Sequence, residues 1–184
     1  MCNFSIDRLK LQQNYLNAGG IAVICIFQSP PESMRQFIIK QVSPPFLRLS
    51  DAKMDVYKKY CVKTSKAGLM EGIRRFTSGK PMSNMKIVEK RGWAINVAPE
   101  GPQDRLPADF LIDEEGTVVE AFYAESVDQH MPWERIEAFI PESMKCKCNS
   151  KDCLSPDCRR ANAQIMENFG GIFLGGDDEG DEED

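Results

Sequence analysis

Leu106-Pro107-Ala108-Asp109-Phe110-Leu111-Ile112-Asp113-Glu114-Glu115-Gly116, followed at once by Thr117-Val118-Val119-Glu120-Ala121-Phe122-Tyr123-Ala124, is the stretch that decides the fold reading. Phe110 to Ile112 is an aromatic and branched run of the kind a pleated strand accommodates. Asp113 to Gly116 supplies turn residues, and Val119, Ala121 and Tyr123 then alternate with Val118, Glu120 and Phe122 at period two. Strands joined by so short a turn are antiparallel, so the stretch predicts a β-hairpin.

Working outward towards the C-terminus, Pro132 suits the first turn of a helix that places Trp133, Ile136, Phe139 and Ile140 on one side. Towards the N-terminus, Val62 to Arg105 is interrupted by Gly68, Gly72, Gly79, Pro81, Gly92, Pro99 and Pro102, which predicts an insertion with one or two short helices. Before it, Asp51 to Tyr60 reads as a helix with Met54, Tyr57 and Tyr60 inward, and Phe46 to Leu49 as a short strand. Pro31 opens a further helix with Met34, Phe37, Ile38 and Ile39 as its buried stripe, ended by Ser43-Pro44-Pro45. Ile21 to Phe27 is a continuous apolar run and predicts a strand covered on both faces. Ser5 to Ala18 places Ile6, Leu9, Tyr15 and Leu16 at helical spacing, with Gly19-Gly20 as the stop.

Composition sets the outer limits. A chain of 184 residues with 42% hydrophobic residues buries one sizeable core and is short for two domains. The net charge of −5 comes from the end of the chain: Asp177 to Asp184 holds seven acids, and the remainder has 23 bases against 21 acids. Bases scattered among acids give no footprint for nucleic acid. No apolar run reaches the length of a membrane span, and no secretion signal opens the chain, so no membrane partner and a cytoplasmic location are expected. The expected divisions are a globular domain over 1–141, a cysteine-containing extension over 142–176 and an acidic, solvated tail over 177–184.

An α/β part followed by an antiparallel hairpin and a closing helix is the element order of the thioredoxin fold. Particular residues add to that order. Leu106 to Gly116 resembles the Leu-Pro-Ala-x-Phe-hydrophobic-x-Asp-x-x-Gly strand and turn of the peroxiredoxin-like branch of the alkyl hydroperoxide reductase C and thiol-specific antioxidant family. Asp128-Gln129-His130-Met131-Pro132 with Glu134 to Ile140, and Pro45-Phe46 with Asp51, are similar to further segments of that branch, so that the likeness runs from about Cys2 to Ile140. It implies an α/β fold, a thioredoxin-like three-layer sandwich. That fold begins with a strand leading into the reactive cysteine, so the form expected for this sequence lacks its N-terminal central strand.

The resemblance also implies chemistry: a thiol-dependent antioxidant or redox protein that reduces a peroxide or disulfide substrate through a cysteine thiolate. A thiol reductant protein or small thiol would regenerate it, with no cofactor and no metal. Counting back from Gly20, Cys2 takes the second position of the family's Cys-x-x-Cys at the head of the first helix, which makes it the candidate catalytic residue. A thiol with pKa near 8.5 is roughly 3% ionised at pH 7, and a helix end contributes only about 0.3 to 1 kcal/mol towards the anion. A cation is needed as well. Arg105 is the candidate, because the loop before Leu106 faces the reactive cysteine in that fold. The resemblance places Pro107 where the fold keeps a cis proline that presents backbone groups to a bound disulfide or peptide; a trans proline at a strand's first residue is the plain alternative. Arg105 and Pro107 are thus the expected substrate-binding residues.

Other candidates read less specifically. Cys25 lies within an apolar strand and reads as a small core residue, Cys61 closes a helix, and His130, the single histidine, reads as a loop brace. Cys146, Cys148, Cys153 and Cys158 admit three readings: a four-thiolate zinc site, a set of resolving thiols, or exposed cysteines in a basic loop. A rival to the redox reading is a non-catalytic thioredoxin-fold binding or scaffold protein that has lost its reactive corner.

Overall fold

The computed structural model describes residues 6, 9–10, 12–39, 46–78 and 101–145. Cys2, the cluster Cys146 to Cys158, the acidic tail and the side chains of Phe37 to Ile39 lie outside the described residues. The elements are α1 (Gln13–Ala18), β1 (Ile24–Phe27), α2 (Pro31–Ser33) running on into a wider π-helical turn (Met34–Ile39), β2 (Leu47–Ser50), α3 (Asp55–Lys59), α4 (Lys66–Ser78), β3 (Ala108–Ile112), β4 (Val118–Tyr123) and α5 (Trp133–Phe139). Together they make a small α/β domain with two separate two-stranded sheets, β1–β2 parallel and β3–β4 antiparallel.

The hairpin forms where the alternation placed it. Asp113 organises its turn: the Oδ1 atom accepts from Thr117 N at 2.7 Å, the backbone N–H donates to Thr117 O at 3.0 Å, and the carbonyl accepts from Gly116 N at 3.1 Å. Gly116 takes φ +82°, a conformation that costs glycine little. Glu120 and Phe122 turn towards α5, where Arg135 pairs with Glu120 and stands 5.6 Å from the Phe122 ring centre.

A buried core joins α1 to α5. Tyr15, Leu16, Trp133 and Ile140 are buried together, with Leu9, Ile21, Val23 and Ile136 packed around them. The Tyr15 and Trp133 rings lie 5.8 Å apart, and the Tyr15 hydroxyl donates to Glu137 at 2.8 Å, so the polar end of a buried aromatic is satisfied. α1 stops through paired backbone bonds: Ile21 N–H reaches Leu16 O at 2.8 Å and Gly20 N–H reaches Asn17 O at 3.0 Å, with Gly20 at φ +75°. This is a Schellman end, and Ile21 packs back on the core beside Leu16, as that motif favours.

Three features differ from the sequence reading. β1 is not covered on both faces: Ile24 and Leu47, opposite one another, are each 56% exposed, and Ile26 and Leu49 continue that face. An apolar run reports that a strand favours burial and does not say which neighbour covers it. The segment expected to hold one or two short helices contains α4, the longest described helix at 13 residues. Its glycines are points of close packing rather than breaks, since a Cβ on Gly68 would come within 2.3 Å of Glu125 O and one on Gly72 within 2.5 Å of Val127 Cγ2. The peptide before Pro107 is trans, as are all described peptide bonds. Here the chain is already extended and engaged on both sides: Thr64 and Arg105 form an antiparallel bridge, Leu106 N–H donates to Lys63 O, and Pro107 O accepts from Ala124 N. A trans proline at a strand's first residue continues that line without needing an N–H.

Candidate functional site

Ligands of open α/β sheets gather beyond the carboxyl ends of parallel strands. In this chain the carboxyl ends of β1 and β2 are closed by Asp51, which is buried. Asp51 N–H bonds Phe27 O at 2.7 Å, tying the two strands, while its carboxylate accepts from Asp55 N at 3.0 Å and Tyr57 N at 2.9 Å. The sequence reading began a helix at Asp51. In the structure the helical residues start at Asp55, and Asp51 supplies the cap from outside, meeting two N–H groups that an α-helix leaves orphaned.

α3 is bracketed by left-handed residues that are not glycine, Met54 at φ +61° and Cys61 at φ +54°. Its end repeats the pattern of α1: Val62 N–H reaches Tyr57 O and Cys61 N–H reaches Lys58 O. Non-glycine residues in this region carry strain of about 1 kcal/mol or more and are enriched near functional sites. The helix carries Tyr57 to the end of β1, where its hydroxyl donates to Ile26 O at 2.9 Å.

Arg105 meets this corner from the segment that leads into β3. Its guanidinium carbon lies 5.2 Å from the Tyr57 ring centre, its Nη1 donates to Val62 O at 3.4 Å, and its Nη2 points at Met54 Sδ across 3.8 Å. Its Nε is buried and has no acceptor among the described residues. Stacking and one carbonyl bond hold the cation in place without neutralising it. Pro107 follows two residues on, at the head of β3. Of the site residues expected from sequence, Arg105 and Pro107 therefore share one short segment, and Cys2 lies outside the described residues.

No family model, curated protein or solved structure matches this chain.

The two described cysteines are free and differ in chemistry. Burial pushes the Cys25 thiol up to about 11; Arg48, its neighbour on β2, opposes that rise and Asp109 adds to it. Burial also lowers the pKa of Arg48, whose Nη1 is buried without an acceptor among the described residues. Cys25 is thus a neutral thiol at pH 7 and a poor nucleophile, although it is half-buried rather than one of the fully buried core residues. Cys61 is exposed at the end of α3. His130 braces its loop: Nδ1 is 3.1 Å from Asp109 Oδ1, and the adjacent Met131 N–H donates to Asp109 Oδ2 at 2.6 Å.

Among the described residues no group of three or more His, Cys, Asp or Glu side chains is placed to hold a metal ion, and no helix is long and apolar enough to cross a membrane. Arg105 is a candidate in the sequence, and its setting becomes visible only in the structure. Tyr57 and Met54 were read as the inward face of a helix, and Asp51 as a helix start. A hint was present in the Asp51 position, since an acid that ends a strand just before a helix is well placed to cap that helix.

Proposed function

We propose that this chain is a thiol-dependent, peroxiredoxin-like redox protein in which the Cys2 thiolate reduces a peroxide or disulfide. The observation that supports it most is Arg105, a cation stacked on Tyr57 with a buried Nε that has no acceptor among the described residues, on the segment that leads into Pro107. Half-ionising a thiol of pKa near 8.5 at pH 7 needs about 2 kcal/mol, more than a helix end provides and within the reach of a nearby guanidinium. With peroxide, the thiolate sulfur attacks one oxygen, the S–O bond forms as the O–O bond breaks, and the departing hydroxide takes a proton to leave as water. The sulfenic acid condenses with one reductant thiol, releasing water and forming a mixed disulfide, and a second reductant thiol attacks that disulfide, so that Cys2 returns to the thiol and the two reductant thiols leave joined as one disulfide.

The test compares hydrogen peroxide consumption, in the presence of a thiol reductant, by the wild type, Cys2→Ser and Arg105→Gln. Cys2→Ser is expected to abolish turnover, and Arg105→Gln to raise the pH at which the rate reaches half its maximum. Equal rates for the wild type and Cys2→Ser would overturn the proposal.

One observation favours the rival reading as a binding protein. Ile24, Ile26, Leu47 and Leu49 present one apolar sheet face to solvent, and exposed contiguous apolar surface is characteristic of docking sites. Retention of full biological activity by Cys2→Ser, together with its loss in Ile24→Lys, would select that reading.

A further inference from the structure

The corner around Arg105 contains a sulfur that the chemistry above does not use. Met54 Sδ lies 3.8 Å from Nη2, and Nη2 shares with Nε the edge of the guanidinium that grips oxygen acceptors in pairs. A thioether is a weak acceptor, and Nε has none among the described residues, so this edge faces a group that satisfies it poorly. An oxygen placed on Sδ towards Nη2 would lie in the 3.8 Å interval between them, which a bent S–O···H–N link spans, on the edge that Nη2 shares with Nε. We infer that Met54 is a site of oxidation by peroxide, and that its sulfoxide oxygen is captured by the Nε and Nη2 donors of Arg105.

The step balances with hydrogen peroxide as oxidant. A sulfur lone pair attacks one peroxide oxygen, the S–O bond forms and the O–O bond breaks, and the leaving hydroxide takes the proton of the attacked oxygen and departs as water. Sulfur loses two electrons and peroxide gains them. The other described methionines do not offer this exchange. Met34 and Met131 are buried, where a new oxygen would be costly, and Met70 and Met144 are more than half exposed and would turn theirs towards water. Met54 is half-buried, and its left-handed backbone sets it at the head of α3 beside the cation. Capture occupies the edge of Arg105 that a substrate would use, so oxidation acts as a brake on the site. That consequence rests on the proposed role of Arg105, whereas the capture does not.

The experiment exposes the full chain to hydrogen peroxide, follows each methionine by peptide mass mapping, and records the Arg105 Nε–Hε signal by NMR. Formation of Met54 sulfoxide is expected to shift that signal downfield and slow its exchange with water about tenfold, the size of one net hydrogen bond. Met54→Leu should remove the response while Met70 and Met144 still oxidise. Met54→Gln, which carries its own carbonyl oxygen, should reproduce it without peroxide and serves if the leucine variant does not fold. An unchanged Arg105 signal after Met54 has been converted, or a reduced Met54 when Met70 and Met144 are fully oxidised, would overturn the inference. Loss of peroxide turnover in Cys2→Ser bears only on the proposed activity and leaves this result untouched.

Discussion

α1 and α3 end in the same backbone motif and employ different residues to make it. At Gly20 the left-handed position is filled by the residue that takes it at little cost, and the next residue, Ile21, returns to the α1–α5 core. At Cys61 the same position carries a side chain, and a second left-handed residue, Met54, stands at the other end of the helix. The first end is fitted to packing. The second keeps strain in a five-residue helix whose main contacts are a capping carboxylate and a stacked arginine. Strain is tolerated there because Asp51, Tyr57 and Arg105 hold the helix from three directions, and it coincides with the corner where Arg105 Nε has no acceptor among the described residues.

Three measurements would break or sharpen this contrast. The largest effect should come from Leu16→Ala on the packed side. Leu16 is among the most buried side chains, and its truncation is expected to lower unfolding free energy by about 3 kcal/mol or more in urea titration. A loss under about 1 kcal/mol would mean that the α1–α5 contact is not the stabilising core.

Next in size is the pH response of Cys25, which contrasts with the exposed Cys61. Its thiol is raised from 9.0 to about 11 in the fold, so the folded state favours the neutral form. The stability this represents is fully present below pH 9 and is lost as pH rises through about 11. A shift of that size corresponds to about 2 to 3 kcal/mol. The stability difference between the wild type and Cys25→Ala should therefore shrink across that interval, measured by urea midpoints, and a constant difference would contradict the buried setting. At pH 8 a thiol reagent should label Cys61 well before Cys25.

The smallest effects bear on the comparison most directly. Gly20→Ala should destabilise by about 1 kcal/mol, because a side chain there meets the left-handed penalty, and its Cβ would lie 2.9 Å from Met144 Sδ. Cys61→Gly should act the other way, raising the thermal midpoint by a few degrees for a gain of up to about 1 kcal/mol. Opposite signs from one motif would establish that the α3 end is strained; equal signs would remove the distinction.

Much of the architecture was legible in the sequence because local patterns report local structure. Period-two alternation from Val118 to Tyr123, the Asp113 to Gly116 turn, the Gly19-Gly20 stop and Pro132 before α5 each act through neighbours a few residues away, and each is found where it was read. Glycine was the residue most often misread. Gly68 and Gly72 resembled helix breaks in sequence, and only their distances to Glu125 and Val127 show them as contact points inside α4. Pro107 likewise took its trans form from a ladder on each side, formed by segments some 40 residues earlier and 17 later.

The order of helices and strands and the hairpin were already present in the sequence, because propensity, turn chemistry and hydrophobic period are properties of short stretches. Tertiary structure alone decided that Arg105 stacks on Tyr57, that its Nη2 faces Met54, that Asp51 caps α3 from the end of β2, and that Cys25 lies near Arg48 and Asp109. These contacts join residues up to 84 positions apart, as with Cys25 and Asp109. Desolvation and charge pairing act through space, so they become defined only once the two sheets and α3 have been brought together.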